Sequence, residues 1–253
     1  MKRERIGRNV CELYESLDEM PILNFHKFNK WSVIESQIGG DLVSVVSHLA
    51  KIKRNLANAP DKAGVQLDNL SSTFSMIFEE TSPKSVAFVC LMKSFNGKSV
   101  NIKDDNELIR ISKELQKHPF GLFDKLFEIL KKKVDTELEL YFPEKFSDAT
   151  TKDAYDKIKK QTLLKLDSVI DGKSRQTEID KITDYLYSLF VPVSFSGKNS
   201  FEITHEKNYL DACLLISEYA NIQNVDNLTV VAFHNALEYV KNKLKNGTKP
   251  AKV

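Results

Sequence analysis

Cysteine, glycine and proline are all scarce in this chain, with 3, 9 and 7 residues among 253. Cys11, Cys90 and Cys213 are far apart and odd in number, which excludes a disulfide framework and points to a reducing compartment. The few glycines and prolines fall mostly between periodic segments, where helix punctuation belongs. No apolar run approaches the ~20 residues that a membrane span requires. The basic start MKRERIGR is followed by the polar NVCELYESLDE, so a secretory signal peptide is not expected. Neither charge prevails: 37 basic residues face 35 acidic ones, and a net charge of +2 sets up no global field toward DNA or a membrane. Apolar residues, at 42%, are plentiful enough to build a core in one large domain or two small ones.

Helical periodicity accounts for most of that apolar content. Behind a cap at Asp41, Leu42, Val45, Leu49, Ile52 and Leu56 form one seam. Ala63, Leu67, Leu70, Phe74 and Ile77 form a second, and the break at 58–61 predicts an antiparallel helical hairpin. Ser82–Pro83 opens a third helix reaching about Met92, against the competing reading of a β-hairpin turning at Asn96–Gly97. Asp104 or Asp105 starts a helix with Leu108, Ile111 and Leu115 that stops at His118–Pro119. A longer helix from about Phe120 to Tyr141 carries Phe123, Leu126, Phe127, Leu130 and Val134. Tyr155, Ile158, Leu166 and Val169 then mark a helix ending at Gly172, and Ile179, Ile182, Leu186 and Leu189 mark the next. At 191–204 the period shortens: VPVSF and SFEIT alternate around the turn SGKN, which predicts a β-hairpin. Two helices follow, one with Tyr209, Cys213 and Ile216, the other with Val230, Phe233, Leu237 and Val240, before a short basic tail.

The expected fold is therefore mainly α: one or more multi-helix bundles with a single small β-hairpin near 191–204. The segment from Phe142–Pro143 to Thr150 suggests a boundary between an N-terminal helical region, 1–142, and a C-terminal one, 150–246, with a single bundle as the alternative.

Reactive constellations are thin. Gly-Lys-Ser occurs at 97–99 and 172–174, but a phosphate-wrapping loop needs another glycine five residues ahead, and Met92 and Asp167 stand there. Both copies read as turns, the second as a helix C-cap. The five histidines, His26, His48, His118, His205 and His234, show no metal-ligand spacing. No catalytic residue, cofactor, metal or small-molecule ligand is predicted, and an enzyme is not expected. The basic residues Lys2, Arg3, Arg5 and Arg8 could touch phosphates, although a solvated terminus explains them more simply.

The stretch PILNFHKFNKWSVI, 21–34, contains the only tryptophan. On a helix at about 100° per residue, Phe25, Phe28 and Trp31 share one side and Ile22, Leu23, Val33 and Ile34 lie mostly on the other. Lys27 and Lys30 keep a narrow strip. A base-stacking platform would set exposed aromatics in a broad basic surface. This pattern instead suits a helix buried on two faces, in a core or between subunits.

Taken together, LYESLDEMPILNFHKFNKWSVIESQIGGDL, SPKSVAFVCLMKSFNGK, ELELYFP, TLLKLDSVID and LTVVAFHNALEYVK resemble a family of uncharacterised proteins encoded near the tail genes of phages of Bacteroidetes hosts, including crAss-like phages. The resemblance runs from about Leu13 to Lys243 and brings no catalytic residue with it. It implies a virion structural protein, a ring or connector subunit of the neck or tail. Such a subunit works as a homo-oligomer among other neck and tail proteins, in the virion and, during assembly, in the host cytoplasm. Phe25, Phe28 and Trp31, with Phe195 and Phe201 on the expected hairpin, are the expected interface residues. The alternatives are a tail-assembly chaperone absent from the particle and a DNA-packaging accessory using the N-terminal arm.

Overall fold

A computed structural model describes residues 2–38, 42–78, 82–117, 122–143, 149–189, 191–245 and 247. The fold is mainly α, with a small four-stranded antiparallel sheet. The expected cap Asp41, the His118–Pro119 stop and the basic tail beyond 247 lie outside the described residues.

The aromatic stretch becomes helix α1 (Ile22–Ile38). Its Phe25, Phe28 and Trp31 are buried, and so are Ile22, Leu23 and Ile34. Helix α4 (Pro83–Cys90), buried from Ser85 to Cys90, packs along α1 and begins behind Ser82 with proline in its first turn. Phe28 lies 6.5 Å from Phe127 of α6 (Leu122–Tyr141), and Phe127 meets Phe88 edge-on at 6.4 Å. The Asn24 amide donates to the Cys90 carbonyl at 2.9 Å, satisfying a buried group where the helices touch.

The sheet gathers two tight hairpins. Strand β1 (Lys2–Ile6) turns through Gly7, at φ +62°, into β2 (Asn9–Leu13). Strand β3 (Met92–Phe95) turns into β4 (Lys98–Ser99) through Asn96 and Gly97, both at positive φ, the backbone of a type I′ turn. The strands run in the order β1-β2-β3-β4. Asn96 ties the hairpins together, accepting from Val10 N at 2.8 Å and donating to Asn9 Oδ1 at 2.9 Å.

Helices α2 (Leu42–Asn58) and α3 (Pro60–Phe78) form the expected hairpin, and α5 (Asp105–Gln116) opens with Asp104 accepting from Asn106 N at 3.0 Å. Helices α7 (Ala149–Asp171) and α8 (Gln176–Leu189) form a second hairpin. Helices α9 (Phe201–Ala220) and α10 (Val230–Lys245) close the chain. A 3-10 turn at Val225–Asn227 leads into the approach to α10, where Leu228 O accepts from Ile22 N at 2.7 Å and Val230 N donates to Met20 O at 2.9 Å.

Contacts divide the chain into one unit of residues 1–137 with 193–253 and a second of residues 138–192. The segment 142–150, where sequence suggested a boundary, lies inside the second unit, and the C-terminal helices return to the first.

The hairpin expected at 191–204 is corrected. Phe201 and Ile203 belong to α9, and 191–195 forms no strand. Phe201, His205 and Tyr209 recur every four residues; His205 and Tyr209 stack on His26 of α1 and Phe201 stacks on His205, whereas Ile203 is exposed. Helical spacing therefore won over apparent alternation. This segment bonds to a side chain instead: Asn69 of α3 donates to Val193 O and accepts from Phe195 N at 3.0 Å.

Candidate interaction surface

The expected interface residues Phe25, Phe28 and Trp31 are spent inside the chain, so they offer nothing to a second copy. A helix apolar on two faces can be covered on both by its own fold, and α1 is. Phe195 and Phe201 are half-buried, their rings edge-on to one another at 6.1 Å. No strand exists there to extend a neighbour's sheet.

The basic strip on α1 is neutralised internally. Lys27 pairs with Asp105 at 2.9 Å, and Lys30 with Glu202 at 2.8 Å. The arm Lys2, Arg3, Arg5 and Arg8 is ordered around β1, not a frayed end. Lys2 pairs with Glu4 at 2.9 Å, and Arg3 with Glu12 at 2.8 Å, lowering the Glu12 pKa. Arg3, Arg5 and Arg8 are exposed. Such charges blunt an edge strand against pairing with another chain.

One grouping escaped the linear sequence. His26 of α1 stacks on His205 at 4.2 Å and on Tyr209 at 4.1 Å, both from α9. A carbonyl and a carboxylate only accept, so both ring Nε2 atoms carry the proton: His205 donates to His26 O at 3.1 Å, and His26 to Glu206 at 2.9 Å. Tyr209 donates to Asp226 at 2.8 Å, and Asp226 takes an ion pair from Lys103 at 2.9 Å. Burial lowers the pKa of both histidines, so they are neutral near pH 7. Burial also raises the Cys213 thiol. Every polar atom of this joint named here binds another group of the chain, and its role is to lock α9 onto α1. Among the described residues, no group of three or more His, Cys, Asp or Glu converges as a metal site. The two Gly-Lys-Ser tripeptides begin at turn glycines, Gly97 at φ +79° and Gly172 at φ +69°.

The surface that stands open is on α7. The helix meets α8 with a mostly polar side: Gln161 donates to Thr183 at 2.7 Å, Tyr185 donates to Asp153, and Lys157 lies over the Tyr185 ring at 5.7 Å. At about 100° per residue, Tyr155, Ile158, Leu166 and Val169 point the other way. They are 61%, 47%, 54% and 82% exposed, and Leu163 and Ile170 beside them 51% and 74%. The residues that sequence reads as this helix's seam thus face solvent. Periodicity found the stripe; it carries no information about what covers it.

Comparison of the chain with protein-family models, with curated proteins and with solved structures finds no match in any of the three. Among the described residues no helix is long and apolar enough to cross a membrane.

Proposed function

We propose that this chain is a structural protein of a phage neck or tail, a ring or connector subunit that works through protein–protein interfaces. The observation that carries the reading is the open apolar face of α7. A face of six large apolar side chains is costly to leave in water and suits a helix that meets another protein. The resemblance of Leu13–Lys243 to proteins encoded beside phage tail genes supplies the assembly in which that partner sits. Lys27, Lys30, Lys2 and Arg3 are each paired with a carboxylate of the chain, which favours protein partners over DNA at these positions.

Quantitative mass spectrometry of purified particles tests it. The reading expects the chain at a fixed stoichiometry with the other neck and tail proteins. Its absence from particles, with a stable complex in the lysate of infected cells, identifies an assembly chaperone instead.

A further inference from the structure

We propose that α7 pairs with α7 of a second copy of this chain, antiparallel, about a two-fold axis passing at Thr162. The inference rests on the same open face that carries the virion reading and names its occupant, a second copy of the chain, which a measurement on the purified chain tests apart from any particle. It begins from the order of the apolar residues. Ile158 and Leu166 lie four residues either side of Thr162, and Tyr155 and Val169 seven residues either side. Turned end for end, the stripe therefore maps onto itself, with Tyr155 against Val169 of the other copy and Ile158 against Leu166. An isologous two-fold contact requires this self-complementarity, whereas a head-to-tail contact does not.

The centre of the stripe is prepared for burial. Thr162 stands at the centre, and its hydroxyl donates to the Ile158 carbonyl at 3.0 Å within its own helix. Covering it leaves no donor unsatisfied. The side of α7 used against α8 is the opposite one, so both contacts fit at once.

Area points the same way. With roughly 150 Å² for a fully exposed large side chain, the low end for an aromatic, the four residues that map onto one another leave on the order of 400 Å² on one helix. Two such stripes bury on the order of 800 Å², and Leu163 and Ile170 at the edge of the stripe add to this toward the roughly 1,200 Å² at which specific, stable interfaces begin. Tyr155 and Val169 are about 21 Å apart along the helix, long enough for a four-turn antiparallel contact.

Sedimentation and cysteine cross-linking of the full chain test the pairing, the latter in a Cys213→Ser background that removes the partly exposed thiol. The chain is expected to sediment at twice 28.9 kDa. Thr162→Cys is expected to form a covalent dimer on oxidation. Tyr155→Cys or Val169→Cys alone should not, because the two copies of each lie at opposite ends, while a mixture of the two should give the mixed dimer. Ile158→Asp with Leu166→Asp should return the mass to one chain with helicity intact, since both side chains are exposed. A monomer at tens of micromolar that Thr162→Cys does not cross-link overturns the proposal. So does a Tyr155→Cys dimer, which marks a parallel pair, and so does a larger ring whose mass survives the double aspartate variant.

Discussion

Single side chains separate the buried from the available in this molecule. Trp31 and Tyr155 are both aromatic and both lie on helices, yet one is core and the other open. Trp31→Ala should cost about 3–5 kcal/mol, as large-to-small core changes do, a large share of the roughly 5–15 kcal/mol that holds a domain together. Tyr155→Ala should stay within about 0.5 kcal/mol at protein concentrations low enough to keep the chain monomeric. Urea unfolding followed by circular dichroism measures both, and equal costs would contradict the burial of Trp31. Histidines make a second prediction at this scale. Burial lowers the pKa of His26, His48 and His205, that of His48 from 6.5 to about 4, with Lys51 adding to its shift. The unfolded chain then binds more protons than the folded one below pH 6.5. Stability is full above that value and falls as pH drops toward the folded pKa. At about 1.4 kcal/mol per pKa unit, His48 alone removes roughly 3 kcal/mol by pH 4. Urea midpoints taken between pH 7 and 4 should decline, and His48→Gln should flatten the decline. A midpoint that rises on acidification would contradict the buried, neutral state.

At the scale of elements, Asn69 makes the sharpest prediction. Its amide bonds the Val193 carbonyl and the Phe195 N–H, a pair that a neighbouring strand would otherwise take. Asn69→Ala should cost about 1–3 kcal/mol and speed exchange of the Phe195 amide. Asn69→Asp, which keeps the acceptor, should retain more of that protection. Unchanged exchange in Asn69→Ala would show the segment held by other contacts. The same residue shows where sequence reading stops. The helices of the chain were legible, because Ser82–Pro83, Asp104 and the period of Leu108, Ile111 and Leu115 are local signals. The Asn96–Gly97 hairpin and the helix before it read as rivals, and the structure contains both because α4 ends at Cys90. The β1–β2 hairpin was hidden by charge: Lys2, Arg3 and Arg5 look like a solvated arm until Glu12 and β3 are beside them. Nothing local in VPVSF reveals that its partner is an amide from residue 69. The stack of His26 on His205 joins residues 179 apart, a distance no spacing rule spans.

For the whole molecule, the division of labour follows from where the apolar surface ends up. The unit built on α1 buries its aromatics and ties its charges to one another, while α7 in the other unit keeps its apolar residues outside. From sequence, the α1 stretch reads as a helix buried on two faces and an expected interface, and the α7 stripe only as the apolar side of a helix. Only the folded chain separates the covered stripe from the open one, and it moves the candidate interface from Phe25, Phe28 and Trp31 to Tyr155, Ile158, Leu166 and Val169. The measurement that tests this most directly is the amount of chain incorporated into particles when phage lacking it is supplied with wild-type protein or with the Ile158→Asp, Leu166→Asp variant. The account predicts stoichiometric incorporation of the wild type and loss of the variant, although the variant stays folded and in solution. Equal incorporation of both would show that the open face of α7 is not how this protein meets its neighbours.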